Sequence, residues 1–150
     1  VEACRALARD GFHRALEGIM TTDAFPKFAF ERVLLDGAEV TIAGMAKGAG
    51  MIAPRMVPAA PHATMLSYIL TDARVSRAAL ERALRIGLQQ SFNVAVVDGD
   101  TSTNDTVLLL ANGVGGNREV TARSAVFADF SGAVGRIMRA LARMVVKDGE

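Results

Sequence analysis

The dipeptide Asp36-Gly37 stands between two β-rich runs, FAFERVLL and EVTIAGMA, and commits that part of the chain to a hairpin. An Asp-Gly pair between such runs is the strongest short-range hairpin signal, because the tight turn needs residues that tolerate positive φ. The second run delivers the chain to Lys47 and to the stretch KGAGMIAPRMVPAAPHATMLSYILTD, residues 47 to 72. There a glycine-rich loop, interrupted by Pro54, Pro58 and Pro61, gives way to an apolar, β-branched run that opens with Thr64. Gly48 and Gly50 leave backbone amides open to a ligand, and Lys47 can meet a carboxylate as a compact point charge. That combination fits an amino-acid substrate. A phosphate loop fits less well, since neither Walker spacing nor GxGxxG is present. On the residues alone, a solvent-facing lysine in a flexible turn is the better account of Lys47.

Thr64 carries the sharper chemical reading. A threonine hydroxyl is a weak nucleophile unless a base stands beside it, and the residue's own α-amino group becomes that base if the chain is cut just before it. The Thr64 hydroxyl can make this cut by attacking the carbonyl of Ala63, converting the peptide to an ester that water hydrolyses. An α-amine titrates near pH ~8, so a sizeable fraction is neutral at physiological pH. Small Ala63 leaves the carbonyl accessible, and TMLSYIL can fix the new N-terminus in a sheet. An ordinary loop-to-strand boundary accounts for the same residues.

Along the rest of the chain, Leu7, Phe12, Ala15, Leu16 and Ile19 share one helical face within residues 1 to 19. The helix runs into Met20-Thr21-Thr22-Asp23, a polar turn whose residues cap and reverse the chain. Ser76 is the expected N-cap of a second helix reaching Gln90, with Leu80, Leu84 and Leu88 on its apolar face. Residues 92 to 97 read as a short apolar strand, 106 to 111 as a buried one, and the polar loop from Asp98 to Asp105 joins them. Asp98, Asp100 and Asp105 do not continue into a calcium-loop pattern with its terminal glutamate, so turn capping explains them and no metal is expected. Residues 124 to 146 form a long helix with Phe127, Phe130, Val134, Ile137, Met138, Leu141 and Val145 inward; Gly132 and Gly135 mark close helix contacts or a kink.

With 150 residues, 51% of them hydrophobic, the chain can bury a real core and counts as one domain. A net charge of +1, without basic residues interleaved with aromatics, gives no footprint for nucleic acid. Cys4 is single, so no internal disulfide forms, and no apolar run approaches the roughly 18 residues of a membrane span. The expected setting is a reducing compartment, cytoplasmic or, in a eukaryote, mitochondrial.

The blocks GIMTTDAFPK (18 to 27), GMAKGAGMIAP (44 to 54), ATMLSYILTDA (63 to 73), SFNVAVVDGDTSTNDTVLLLANG (91 to 113) and LARMVVKDGE (141 to 150) resemble, in order, those of the glutamate N-acetyltransferase family. Its members are also called ornithine acetyltransferases and work in arginine biosynthesis. The resemblance implies an α/β (α+β) fold, a layered sandwich of mostly antiparallel sheet covered by helices, like that of N-terminal-nucleophile hydrolases. It implies a middle piece of a longer protein, with 1 to 63 ending one fragment and 64 to 150 beginning the next after cleavage at Ala63 and Thr64. It makes Thr64 the catalytic nucleophile, with Thr21, Lys47, Thr64 and Glu150 in contact with substrate and the loop near Asp98 in support. The implied reaction moves acetyl from N-acetylornithine to glutamate. No cofactor is implied, acetyl-CoA enters only as an alternative donor, and the cleaved halves pair as α2β2.

This sequence departs from the family at one place. Where the family passes from Pro-Asn-Met directly into Ala-Thr-Met-Leu, Pro54-Arg55-Met56 is followed by an additional segment, residues 57 to 62. Pro58 and Pro61 restrict the backbone where cleavage requires Thr64 to approach Ala63. His62, adjacent to the junction, is a loop histidine, since neighbouring residues of an extended chain point apart. Two alternatives therefore stand beside acetyl transfer: a related amidase or aminopeptidase with water as acceptor, and an uncleaved, non-catalytic relative.

Overall fold

A computed structural model describes residue 8 and residues 10–53, 65–100, 102 and 104–149. Leu7, the segment 57 to 62, Ala63, Thr64 and Glu150 lie outside the described residues. The elements are α1 (Phe12–Ile19), β1 (Lys27–Leu35), β2 (Ala38–Lys47), β3 (Leu66–Thr71), α2 (Arg77–Gln89), a 3-10 turn (Phe92–Val94), β4 (Thr106–Ala111) and α3 (Phe127–Lys147).

The β1–β2 hairpin closes at Asp36-Gly37 as the sequence requires. Asp36 has φ 52° and Gly37 φ 82°, the pair of positive values that a type I′ turn needs. The sheet is ordered β1-β2-β3-β4, with β1–β2 and β2–β3 antiparallel and β3–β4 parallel. This is the expected α/β class with a mostly antiparallel sheet. A parallel neighbour needs a crossover, and α2 supplies it between β3 and β4.

Residues 92 to 97 correct the sequence reading, because they form no strand. The Ser91 hydroxyl donates to Gly87 O at 2.6 Å, and Phe92 is wholly buried, so the chain hooks tightly off the end of α2 instead of extending. The 3-10 turn follows, and the Val97 N–H donates to Ile52 O at 2.8 Å, beside the loop after β2. β4 consequently pairs with β3, not with a strand before the polar loop. It is an edge strand and is not buried: Leu108 and Leu110 are 43% and 49% exposed.

The face of the sheet carrying Ala29, Val33, Leu35, Val40 and Ile42 packs against α3, whose expected apolar stripe is buried throughout. Close approach is set at glycines other than Gly132 and Gly135, where an added Cβ would meet only the guanidinium ends of Arg136 and Arg139. At Gly44 a Cβ would lie 2.8 Å from both Ile137 and Leu141, and at Gly87 it would lie 2.3 Å from the Met138 sulfur. Hence the buried stripe of α2 is Ala79, Ala83 and Gly87, with Leu80, Leu84 and Leu88 half-buried beside it. Ser76 caps α2, accepting from the Ala79 N–H at 3.4 Å.

The opposite face of the sheet is apolar and open. Phe28, Phe30, Leu34, Leu70, Leu108 and Leu110 are exposed on it. Among the described residues α1 covers only its corner, where the Phe12 and His13 rings meet Phe28 edge-on at 6.3 and 5.9 Å. No helix among the described residues is long and apolar enough to cross a membrane.

Gly44→Ala forces α3 off β2 and is expected to cost about 1–3 kcal/mol in denaturant unfolding. Gly18→Ala, within α1 and with open space at the Cβ position, is expected to be neutral or to stabilise by about 0.5–1 kcal/mol.

Candidate functional site

Helix α1 ends at Met20, whose backbone turns extended, and the chain enters the polar turn. Asp23 organises that turn. Its Oδ2 accepts the Thr21 N–H at 3.1 Å, while its Oδ1 accepts the Gly48 N–H at 2.7 Å. Two segments far apart in sequence are thereby held on one carboxylate. Gly48 has φ 138° and is buried, so a side chain there is strained by the backbone conformation and crowded by Ile52, 3.1 Å from the Cβ position. The result is that Lys47 Nζ donates to Thr21 Oγ1 at 3.3 Å. The structure thus brings Thr21 and Lys47 together, the first exposed and the second half-buried.

Beneath the pair lies an ion network that sequence reasoning missed. Lys27, at the start of β1, points into the α3 side of the sheet and is wholly buried. Its ammonium donates to Asp23 Oδ1 at 2.6 Å and to Asp148 Oδ2, at the C-cap of α3. Both oxygens of Asp148 accept the Ala24 N–H, at 3.2 and 3.1 Å. The only available sequence signal was a lysine at the head of an alternating strand, at a position whose neighbours on that face are apolar. Burial raises the pKa of Asp23, but hydrogen bonds from Lys27, Gly48 and Thr21, with the Lys27 charge, outweigh it and hold the carboxyl below its ordinary value.

The polar loop after residue 97 supports the other side of the site. Asp98 accepts the N–H groups of Met51 and Ile52, holding Met51 in a left-handed conformation with φ 53°. Asp98 is exposed; local desolvation raises its pKa, and the backbone donors Asp100, Met51 and Ile52 outweigh this and lower it. Asp105 accepts the Met65 N–H at 2.7 Å, and the Thr106 N–H donates to Met65 O at 2.8 Å. One loop therefore ties down the chain on both sides of residues 54 to 64. No group of three or more His, Cys, Asp or Glu among the described residues is placed to hold a metal ion.

An ammonium beside a hydroxyl can give charge and a directed hydrogen bond to a small ligand bearing a carboxylate; the Gly48 amide, expected from the sequence to be open, is instead buried and spent on Asp23. Fold and site together define an α/β domain that sets an ammonium and a hydroxyl side by side where β2 ends. The ArgJ family pattern matches residues 1–150, and the chain belongs to the ArgJ family. It is 49% identical over 148 residues to the arginine biosynthesis bifunctional protein ArgJ of Symbiobacterium thermophilum, covering 99% of this chain and 35% of that protein. It is 48% identical over 136 residues to a glutamate N-acetyltransferase of Methanococcus maripaludis, covering 91% of this chain and 31% of the relative. The crystal structure of the arginine biosynthesis bifunctional protein argJ of Bacillus halodurans is similar with a TM-score of 0.56 at 39% identity, over 58% of this chain and 41% of that one. The chain spans about a third of the length of the curated relatives it matches.

The lowered pKa of Asp23 fixes the sign of an acid effect. Its contribution to stability is complete above the unfolded carboxylate value, about 3.9, and is lost as pH falls through the lower folded value. Urea midpoints measured from pH 6 to pH 2.5 are expected to fall below about pH 4, and Asp23→Asn is expected to flatten that acid limb while lowering the plateau at neutral pH.

Proposed function

We propose that the full-length protein transfers acetyl from N-acetylornithine to glutamate through an acyl-enzyme on Thr64, serving arginine biosynthesis. The observation that carries this reading is the Lys47–Thr21 pair at 3.3 Å, a cation and a hydroxyl where an amino-acid carboxylate and amide need them. The names of the relatives support the acetyltransfer.

In this mechanism cleavage between Ala63 and Thr64 frees the α-amine of Thr64. That amine takes the hydroxyl proton as Oγ attacks the acetyl carbonyl; the tetrahedral intermediate collapses, the C–N bond breaks, and ornithine leaves with the proton. An acetyl ester remains on Thr64. The glutamate amine attacks the ester carbonyl and loses a proton to the α-amine; the C–Oγ bond then breaks, Thr64 Oγ takes that proton back, and N-acetylglutamate departs. Donor and acceptor share an α-amino-acid end, so one pocket serves both half-reactions. Lys47 and Thr21 hold that end, and Glu150 is the expected contact to the ammonium group of the substrate. Donors to the developing oxyanion are expected from residues outside 1 to 150. The cleaved halves remain paired as α2β2.

Initial rates with both substrates varied test the scheme: a double displacement gives parallel double-reciprocal lines, and intersecting lines contradict it. Lys47→Ala is expected to lower kcat/KM about 10- to 100-fold, the loss of one charge-assisted hydrogen bond. Release of acetate at an equal rate with and without glutamate would favour the amidase alternative.

A further inference from the structure

Lys27 needs a reason to be where it is. Removing an ammonium and two carboxylates from water costs several kcal/mol per ion, and well-packed apolar residues serve stability as well or better. All three side chains are nonetheless hidden: Lys27 and Asp23 are 0% exposed and Asp148 is 3% exposed. Asp148 stands at the C-terminal end of α3, where the helix dipole disfavours a negative charge, so its placement depends on a neighbouring cation. Lysine suits the position. Its ammonium has three N–H donors, and three acceptors surround it: Asp23 Oδ1, Asp148 Oδ2 and Phe25 O at 3.5 Å. Arginine, with five donors in a planar fork, does not match that set.

The network does more than neutralise charge. Asp23 uses its remaining hydrogen-bonding capacity on the N–H groups of Thr21 and Gly48, and Asp148 uses its own on Ala24. Lys27 therefore clamps the turn at residues 21 to 24 and the loop at Gly48 against the end of α3. Gly48 directly follows Lys47 in the chain, and Thr21 lies two residues before Asp23. The backbone of both members of the Thr21–Lys47 pair is thus fixed by one carboxylate, which Lys27 in turn orients.

We propose that Lys27, together with Asp148, is a positioning residue for substrate: it sets the separation of the Thr21 hydroxyl and the Lys47 ammonium without touching the ligand. The proposal rests on the substrate-binding role given to that pair under Proposed function. Asp148 also adds a link from the site to the last turn of α3. The chain continues from there, through Gly149, to Glu150.

The test uses the full-length protein with Asp148→Asn, which keeps volume and acceptor oxygen but removes the charge, and Lys27→Met, which removes the clamp. Each is combined with Thr21→Ala, and kcat and KM for N-acetylornithine are measured at a temperature where circular dichroism shows the variant folded. Positioning predicts a fall in kcat/KM of about 10²-fold for the single variants, appearing mainly in KM. It also predicts that each double variant is no worse than its poorer parent, because both changes disable the same contact. Losses that multiply, or a folded Asp148→Asn with unchanged KM, overturn the proposal. Failure of both variants to fold overturns it too, by making the triad a requirement of folding alone. If the unsubstituted protein shows no acetyl transfer, the acetyltransfer reading fails by itself. A crystal structure of Asp148→Asn then decides the positioning claim: Thr21 Oγ1 and Lys47 Nζ beyond hydrogen-bond reach supports it, and an unchanged separation overturns it.

Discussion

The ammonium of Lys27 lies where water does not reach, between carboxylates from opposite ends of the described chain. Desolvation makes such a charge intolerable alone, so its partners must stay within hydrogen-bond distance whenever the chain is folded. Three elements are bound by that requirement: the turn after α1, the start of β1 and the end of α3. At the other end of the β1–α3 contact, Arg136 places Nε 3.0 Å from both oxygens of Glu31. Helix α3 is therefore pinned along β1 by two ionic contacts of unequal character. The exposed one is worth little, whereas the buried one cannot be broken without stranding a charge. Between them the apolar stripe of α3 presses Ile137 and Leu141 onto Gly44, and only a residue without a side chain permits that approach.

From this frame the site follows with few further devices. Strand β2 ends at Lys47, and Gly48 turns the chain with an N–H donated to Asp23. Asp98 then catches the next amides, at Met51 and Ile52, and Asp105 catches Met65 on the far side of residues 54 to 64. Four carboxylates, Asp23, Asp98, Asp105 and Asp148, thus accept backbone N–H groups at loop ends. A carboxylate is an acceptor with no donor of its own, which suits it to gathering the unpaired amides of irregular chain. The polar loop between Asp98 and Asp105 is accordingly a scaffold for its neighbours in space.

Local chemistry made part of this legible in advance. Asp36-Gly37 fixed the hairpin because φ at both residues is a property of the turn itself, and Ser76 announced α2 because a cap acts within one turn. The stripe from Phe127 to Val145 could be read because α3 buries one face along its whole length. What failed depends on partners distant in sequence. Residues 92 to 97 have strand composition, but the burial of Phe92 at the end of α2 takes precedence. Strand β4 looked like a core strand because its outward leucines are as apolar as its inward ones, and nothing local says that it lies at an edge. The close contacts at Gly44 and Gly87 looked no different in sequence from those expected at Gly132 and Gly135. Of the candidate site, Thr21 and Lys47 were legible from the family resemblance and meet in space. Lys27 and Asp148 were not, because a salt bridge across |i−j| of 121 leaves no periodic trace.

The proposed acetyl transfer depends on Thr64 acquiring a free amine. The most direct measurement is the mass of the full-length protein, quenched in acid after exposure to N-acetylornithine without glutamate. The account predicts two fragments, the second beginning at Thr64 and heavier by one acetyl group carried on that residue. A single uncut chain, or a cut chain whose Thr64 fragment gains no acetyl, would contradict it.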